Sequence, residues 1–156
     1  MGSMADSLFE FFHSQMILYF EETFGEEQIQ YNMEKIGYRV GFSLVEKATK
    51  EEARFKENVE IVKYICKDLW QMLFRKQADN LKTNHTGTFV IQDNRFRFLN
   101  RVSQSKQYLD RGQQYAAFTC GVVRGALTNF GMPCTVTSEV NVSPTCKFQI
   151  SIQGIS

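Results

Sequence analysis

Apolar positions recur with two different periods along this chain, and the change of period separates a helical first half from a mixed second half. From Ser7 to about Phe20, the residues Leu8, Phe9, Phe11, Phe12, Met16, Ile17, Leu18, Tyr19 and Phe20 surround a helix axis instead of forming one stripe, so that helix must be covered on more than one side. After a polar break at Gly25-Glu26-Glu27, the set Met33, Ile36, Gly37, Val40, Gly41, Leu44 and Val45 marks one face of a second helix, ending near Thr49, with Tyr38 and Phe42 off the stripe. A third helix is predicted from about Asn58 to Gln77, with Val62, Ile65, Cys66, Leu69, Trp70 and Leu73 inward and Glu60, Lys63, Lys67 and Asp68 outward.

The period then falls to two. Thr88 to Ile91 and Phe96 to Phe98, on either side of Asp93-Asn94, predict a hairpin. Polar stretches 103–107 and 110–114 lead into a fourth helix, Tyr115 to Phe130, which Gly131 should end as a C-cap glycine. Thr135 to Val140 reads as a strand, Asn141 to Pro144 as a turn, and Lys147 to Gln153 as a strand with one buried and one wet face. Helices followed by strands with a helix between them indicate an α+β domain, its helices packed on one face of a small, about four-stranded antiparallel sheet.

Two pairs of glycines interrupt the helical pattern at a spacing of four: Gly37 with Gly41, and Gly121 with Gly125. A glycine inside a helix costs about 1 kcal/mol relative to alanine, so each pair implies a close neighbour. Gly121 and Gly125, on the central helix, are expected to lie against the sheet; Gly37 and Gly41 divide between the core and a partner.

At 156 residues the chain is long enough to build a core without metal or disulfide staples. Eighteen Lys and Arg against 17 Asp and Glu leave a formal charge of +1, which argues against a dedicated nucleic-acid or membrane-surface binder. Arg95-Phe96-Arg97-Phe98 with Arg101 interleaves cations and aromatics as single-strand binders do, but strand alternation buries both phenylalanines and leaves both arginines in water. The four cysteines, Cys66, Cys120, Cys134 and Cys146, have no paired short spacing and read as reduced thiols. His13 and His85 are the only histidines, and no ligand spacing for zinc is present, so neither a thiol nucleophile nor a metal is expected. Arg124 is a charge inside the glycine-bracketed helix; pairing with an acid of a neighbouring element, a partner surface and a solvated face are all open to it. No apolar run is long enough to span a bilayer, the start lacks a secretory signal pattern, and Met1-Gly2-Ser3 reads as a vector remnant ahead of a single domain from 4 to 156. Asn84-His85-Thr86 and Asn141-Val142-Ser143 fit the glycosylation pattern but read as polar turns.

Ordered along the chain, Gly37-Tyr38-Arg39-Val40-Gly41 with Leu44-Val45-Glu46, Ala53-Arg54-Phe55-Lys56, Tyr64-Ile65-Cys66-Lys67-Asp68-Leu69-Trp70, and Cys120-Gly121-Val122-Val123-Arg124-Gly125-Ala126-Leu127 resemble the small subunits of the transport protein particle (TRAPP). Asp79 to His85, Gln92-Asp93-Asn94 and Cys146-Lys147-Phe148-Gln149 resemble its subunit-six branch. The resemblance implies a non-catalytic scaffold without a cofactor, which pairs with subunit three inside a tethering complex acting between the endoplasmic reticulum and Golgi. That complex as a whole promotes nucleotide exchange on a Rab GTPase; the chain would be cytoplasmic and would meet membranes only through it, and a homodimer is open to the isolated chain. It also implies dimerisation through the first two helices, so Leu8, Phe9, Phe12, Met16, Tyr19, Gly37, Val40, Gly41 and Leu44 are the candidate interface, with Cys66, Trp70, Cys120, Gly121, Arg124 and Gly125 as motif residues. Subunit three carries an acylated cysteine just ahead of a phenylalanine; Glu51-Glu52-Ala53-Arg54-Phe55 stands there in this chain and holds none, which puts an acyl-filled tunnel in doubt. A small-molecule module of the same architecture, similar to vinyl-reductase-like domains, is the alternative; it requires an apolar cavity where Trp70, Phe74, Phe118 and Phe148 instead supply bulk.

Overall fold

Four glycines decide where the two central helices meet. In a computed structural model describing residues 4–47, 57–84, 86–99, 112–142 and 144–153, helix α2 (Ile29–Leu44) crosses the long helix formed by Gly112–Asn129, and their backbones touch. A methyl group built at Gly37 or Gly41 would collide with the carbonyl oxygen of Phe118 or Val122, and one built at Gly121 or Gly125 with that of Glu34 or Tyr38. The two pairs therefore face each other. Gly121 and Gly125 lie against α2 instead of the sheet, and Gly37 and Gly41 are buried inside the chain, which removes them from the candidate interface. Only reciprocal small residues one turn apart let two helix backbones come this close, so neither pair has room for another neighbour.

Before α2 comes α1 (Met4–Phe24), longer at both ends than its apolar run suggests, and a short 3-10 turn Glu26–Gln28 entered through Gly25 at φ 88°. The third helix, α3, is continuous but changes pitch: α-helical Asn58–Tyr64, π-helical Ile65–Leu69, then α-helical Trp70–Phe74. It ends at Arg75, whose φ of 60° is left-handed, short of the expected Gln77. The last helix, Gly112–Asn129, is α4, and thirteen of its residues are buried, as befits a helix between other helices and a sheet. Its end matches expectation: Gly131 sits at φ 84°, its N–H bonds the Thr128 carbonyl at 2.9 Å, and Met132 N–H bonds that of Leu127 at 2.9 Å.

Strands β1 (Asn80–Thr83), β2 (Thr88–Asp93), β3 (Cys134–Glu139) and β4 (Cys146–Ile152) form an antiparallel sheet in the order β1-β2-β4-β3. Phe89, Ile91, Cys134, Val136, Cys146, Phe148 and Ile150 turn inward to the helices, while the opposite face stays polar, so the α+β layering holds. The expected hairpin does not form. β2 pairs with β1 and β4, and Arg95 N–H instead bonds the Asp93 carboxylate at 3.0 Å, turning the chain so that Phe96 and Phe98 drop into the core through a 3-10 turn Arg97–Leu99. The two phenylalanines are buried as expected, but Arg97 is not in water: it donates to Glu10 Oε1 at 2.6 Å and to the Phe74 carbonyl at 3.1 Å. β1 escaped the pattern because it is a four-residue edge strand with Leu81 as its single apolar side chain, and edges are polar by necessity. Thr49, the Ala53–Lys56 motif, Glu51 to Phe55, His85, Arg101, the stretch 103–111 and Ser143 lie outside the described residues.

Candidate partner interface

Helix α1 touches the rest of the molecule along one narrow stripe. His13 and Ile17 are buried and Phe9, Met16 and Phe20 half-buried against the core, whereas Leu8 (59% exposed), Phe12 (61%) and Tyr19 (59%), with Phe11, Leu18 and Phe24, face outward. The helix is held by polar contacts at its first turns: Asp6 lies 3.3 Å from Arg75 Nε and 3.9 Å from an Arg97 nitrogen, and Arg97 bonds Glu10. Further along, His13 stacks on Phe98 with centroids 3.6 Å apart and planes 4° apart, beside Phe118 at 5.9 Å. Burial lowers the His13 pKa to about 3, so the ring is neutral, and its Nε2 has no hydrogen-bond partner among the described residues.

Of the sequence-derived candidates, Leu8, Phe12, Tyr19 and Leu44 are exposed together on α1 and at the end of α2. Phe9, Met16 and Val40 are not: they pack against the core, Phe9 meeting Phe98 at 5.3 Å and Phe118 at 6.2 Å edge-on. Phe11, Leu18 and Phe24 are also exposed on α1 but were not among the candidates, although apolar residues on every side of this helix had implied cover on more than one side. Exposed aromatic and aliphatic side chains thus gather on one face of α1, interrupted at Gln15, and buried aromatics in such a patch typically carry about 2 kcal/mol or more each on truncation when a partner covers them.

Of the motif residues, Trp70, Cys120, Gly121 and Gly125 are buried, Cys66 is half-buried and Arg124 lies at the surface between α2 and α4. Trp70 is fully buried and donates its indole N–H to Asp93 Oδ2 at 2.9 Å; the Cys66 carbonyl, in the π-helical turn, accepts from Ala78 N–H at 3.0 Å. Arg124 pairs with the neighbouring helix: its guanidinium lies 4.4 Å from the Tyr38 ring centroid and its Nε 3.4 Å from Glu34 Oε1. All four thiols are free. Burial pushes Cys66 and Cys120 up to about 12 and Cys134 to about 11, and raises Cys146 further from its ordinary value, so they are protonated and weakly nucleophilic at neutral pH. Between helices and sheet the space is filled by edge-on rings, Trp70 with Phe148 at 5.4 Å, Phe96 with Phe148 at 5.3 Å and Phe74 with Phe96 at 5.4 Å. Among the described residues, no group of three His, Cys, Asp or Glu side chains is placed to hold a metal ion, and no helix is long and apolar enough to cross a membrane.

This arrangement has close relatives. The chain is 50% identical to trafficking protein particle complex subunit 6b of Danio rerio over 96% of its own length and 99% of the relative's. It is 46% identical to subunit 6B of Homo sapiens (97% and 100%) and 42% identical to subunit 6A of Homo sapiens (96% and 98%). In fold it matches a crystal structure of trafficking protein particle complex subunit 3 from Naegleria fowleri covalently bound to palmitic acid, with a TM-score of 0.81 over 97% of both chains at 16% identity. The profile of the transport protein particle (TRAPP) component family matches residues 9–153, and the chain belongs to that family, in its subunit-six branch.

Proposed function

We propose that this chain is a non-catalytic scaffold subunit of the TRAPP vesicle-tethering complex, working at the cytoplasmic side of endoplasmic reticulum and Golgi membranes. It pairs one-to-one with subunit three and so supports Rab GTPase nucleotide exchange by the assembled complex. Residues 4 to 156 act as one domain, and membranes are reached through the complex. The observation that supports this reading is the outer face of α1, where Leu8, Phe11, Phe12 and Tyr19 are left exposed by the described residues. A helix so exposed is a liability in a free monomer and an anchor in a heterodimer. Burial keeps the four thiols protonated, and edge-on rings occupy the space between helices and sheet.

Light scattering after size exclusion, on this chain co-expressed with a subunit-three partner, tests the proposal. A one-to-one complex that Phe12→Asp disrupts, while the isolated variant keeps the wild-type circular dichroism, supports it. A chain that ignores subunit three refutes it. Self-association of the isolated chain through the same face would also be lost in Phe12→Asp.

A further inference from the structure

A second surface lies between α2 and α4. Tyr31, Glu34, Lys35, Tyr38, Arg39 and Arg124 line a groove of ≈ 370 Å³, and none of them comes from α1. From Tyr31 to Arg39 the groove follows α2 for about 12 Å, at 1.5 Å of rise per residue. Two residues apart on a helix point to nearly opposite sides, so Tyr38 lies away from Val40, which packs on the core flank of α2.

Its chemistry is uneven. Three cations meet one carboxylate in a chain whose formal charge is only +1. Glu34 is already engaged by Arg124, while Lys35 and Arg39 are exposed and make no ion pair with a described residue. Two of the cations also lie by aromatic faces: Arg124 over Tyr38 at 4.4 Å, and Lys35 6.0 Å from the Tyr31 centroid. Tyr38 in turn stacks with Phe42 at 6.2 Å, and Tyr31 is 62% exposed. Arginine and tyrosine at the centre of a concave patch are the residue types that dominate protein-binding hot spots.

We infer that this groove docks an acidic segment of a protein partner, its carboxylates meeting Lys35, Arg39 and Arg124 and an apolar or aromatic side chain lying on Tyr31 and Tyr38. Concavity favours a chain segment over a membrane, because headgroups in a flat layer cannot follow a cleft between two helices. Charge complementarity sets the partner's sign, and the rings supply contact area that does not depend on charge.

The test is nuclear magnetic resonance titration of the full isotope-labelled chain with a short peptide of glutamates flanking one tyrosine and one leucine. Shifts at Tyr31, Tyr38 and Arg124 are expected, with affinity weakened about tenfold by the double variant Lys35→Glu, Arg39→Glu and by raised salt. Both substituted side chains are exposed, so the fold is kept. The inference is overturned if the groove residues do not respond, if the same peptide with glutamine in place of glutamate binds equally well, or if phosphatidylserine vesicles perturb these residues and the peptide does not.

Discussion

Trp70 and Asp93, on α3 and at the end of β2, share a hydrogen bond of 2.9 Å with both side chains shut off from solvent. Asp93 also accepts from Lys76 Nζ and from Arg95 N–H, so one buried carboxylate joins helix, sheet and the turn that sends Phe96 inward. Removing it leaves the indole N–H and the Arg95 N–H without their acceptor and Lys76 with Asp79 alone, at 3.7 Å. Asp93→Ala should destabilise the chain by about 3–5 kcal/mol, and Trp70→Phe by about 1–3 kcal/mol, measured by urea unfolding. Equal, negligible effects would mean that water replaces the bond at no cost.

The glycine interlock makes a prediction with an internal control. Gly41→Ala and Gly121→Ala drive a methyl group into the carbonyl of the facing helix and should cost about 3 kcal/mol or more. Gly131→Ala meets no neighbouring atom and strains only a φ of 84°, which costs about 1–2 kcal/mol. Denaturation midpoints of the three variants should fall in two groups.

His13 gives acid sensitivity with a definite sign. Its folded pKa is about 3 against 6.5 for the free side chain, because burial excludes the charged ring. Below pH 6.5 the unfolded chain takes up a proton that the folded chain refuses, so this site removes about 1.4 kcal/mol of stability per pH unit down to about pH 3. His13→Phe should flatten the stability profile between pH 6.5 and 5 relative to wild type, as read by denaturant titrations across that range.

Phe9 and Phe12 lie three residues apart on α1 and should separate folding from association. Phe12→Asp should change monomer stability by less than about 0.5 kcal/mol while weakening partner binding by about 2 kcal/mol or more, some thirtyfold. Phe9→Asp buries a carboxylate against Phe98 and Phe118 and should lower the melting temperature of the chain alone. Differential scanning calorimetry and isothermal titration against subunit three measure the two effects.

The helices were legible because their apolar faces repeat over many turns, and so was β4, whose alternation of Cys146, Phe148 and Ile150 with Lys147 and Gln149 survives in the sheet. β1 was not, since a short polar edge has no alternation to read. Phe96 and Phe98 look like a strand because two buried residues spaced by two fit either a strand or a turn folding back into a core. The side-chain bond from Asp93 that chooses between them lies outside any periodicity.

For the candidate surface, apolar residues around the whole of α1 led to the expectation of cover on more than one side, and the described residues cover only one. Burial of one side or another costs the same in a pattern, so which half meets the core came only from contacts: His13 on Phe98, and Arg97 holding Glu10. The glycine pairs show the same limit. Their spacing determined that another element comes close, because a missing Cβ is a property of one residue. Which element comes close was decided only in three dimensions, where two such gaps sit opposite each other and the helices seat both at once.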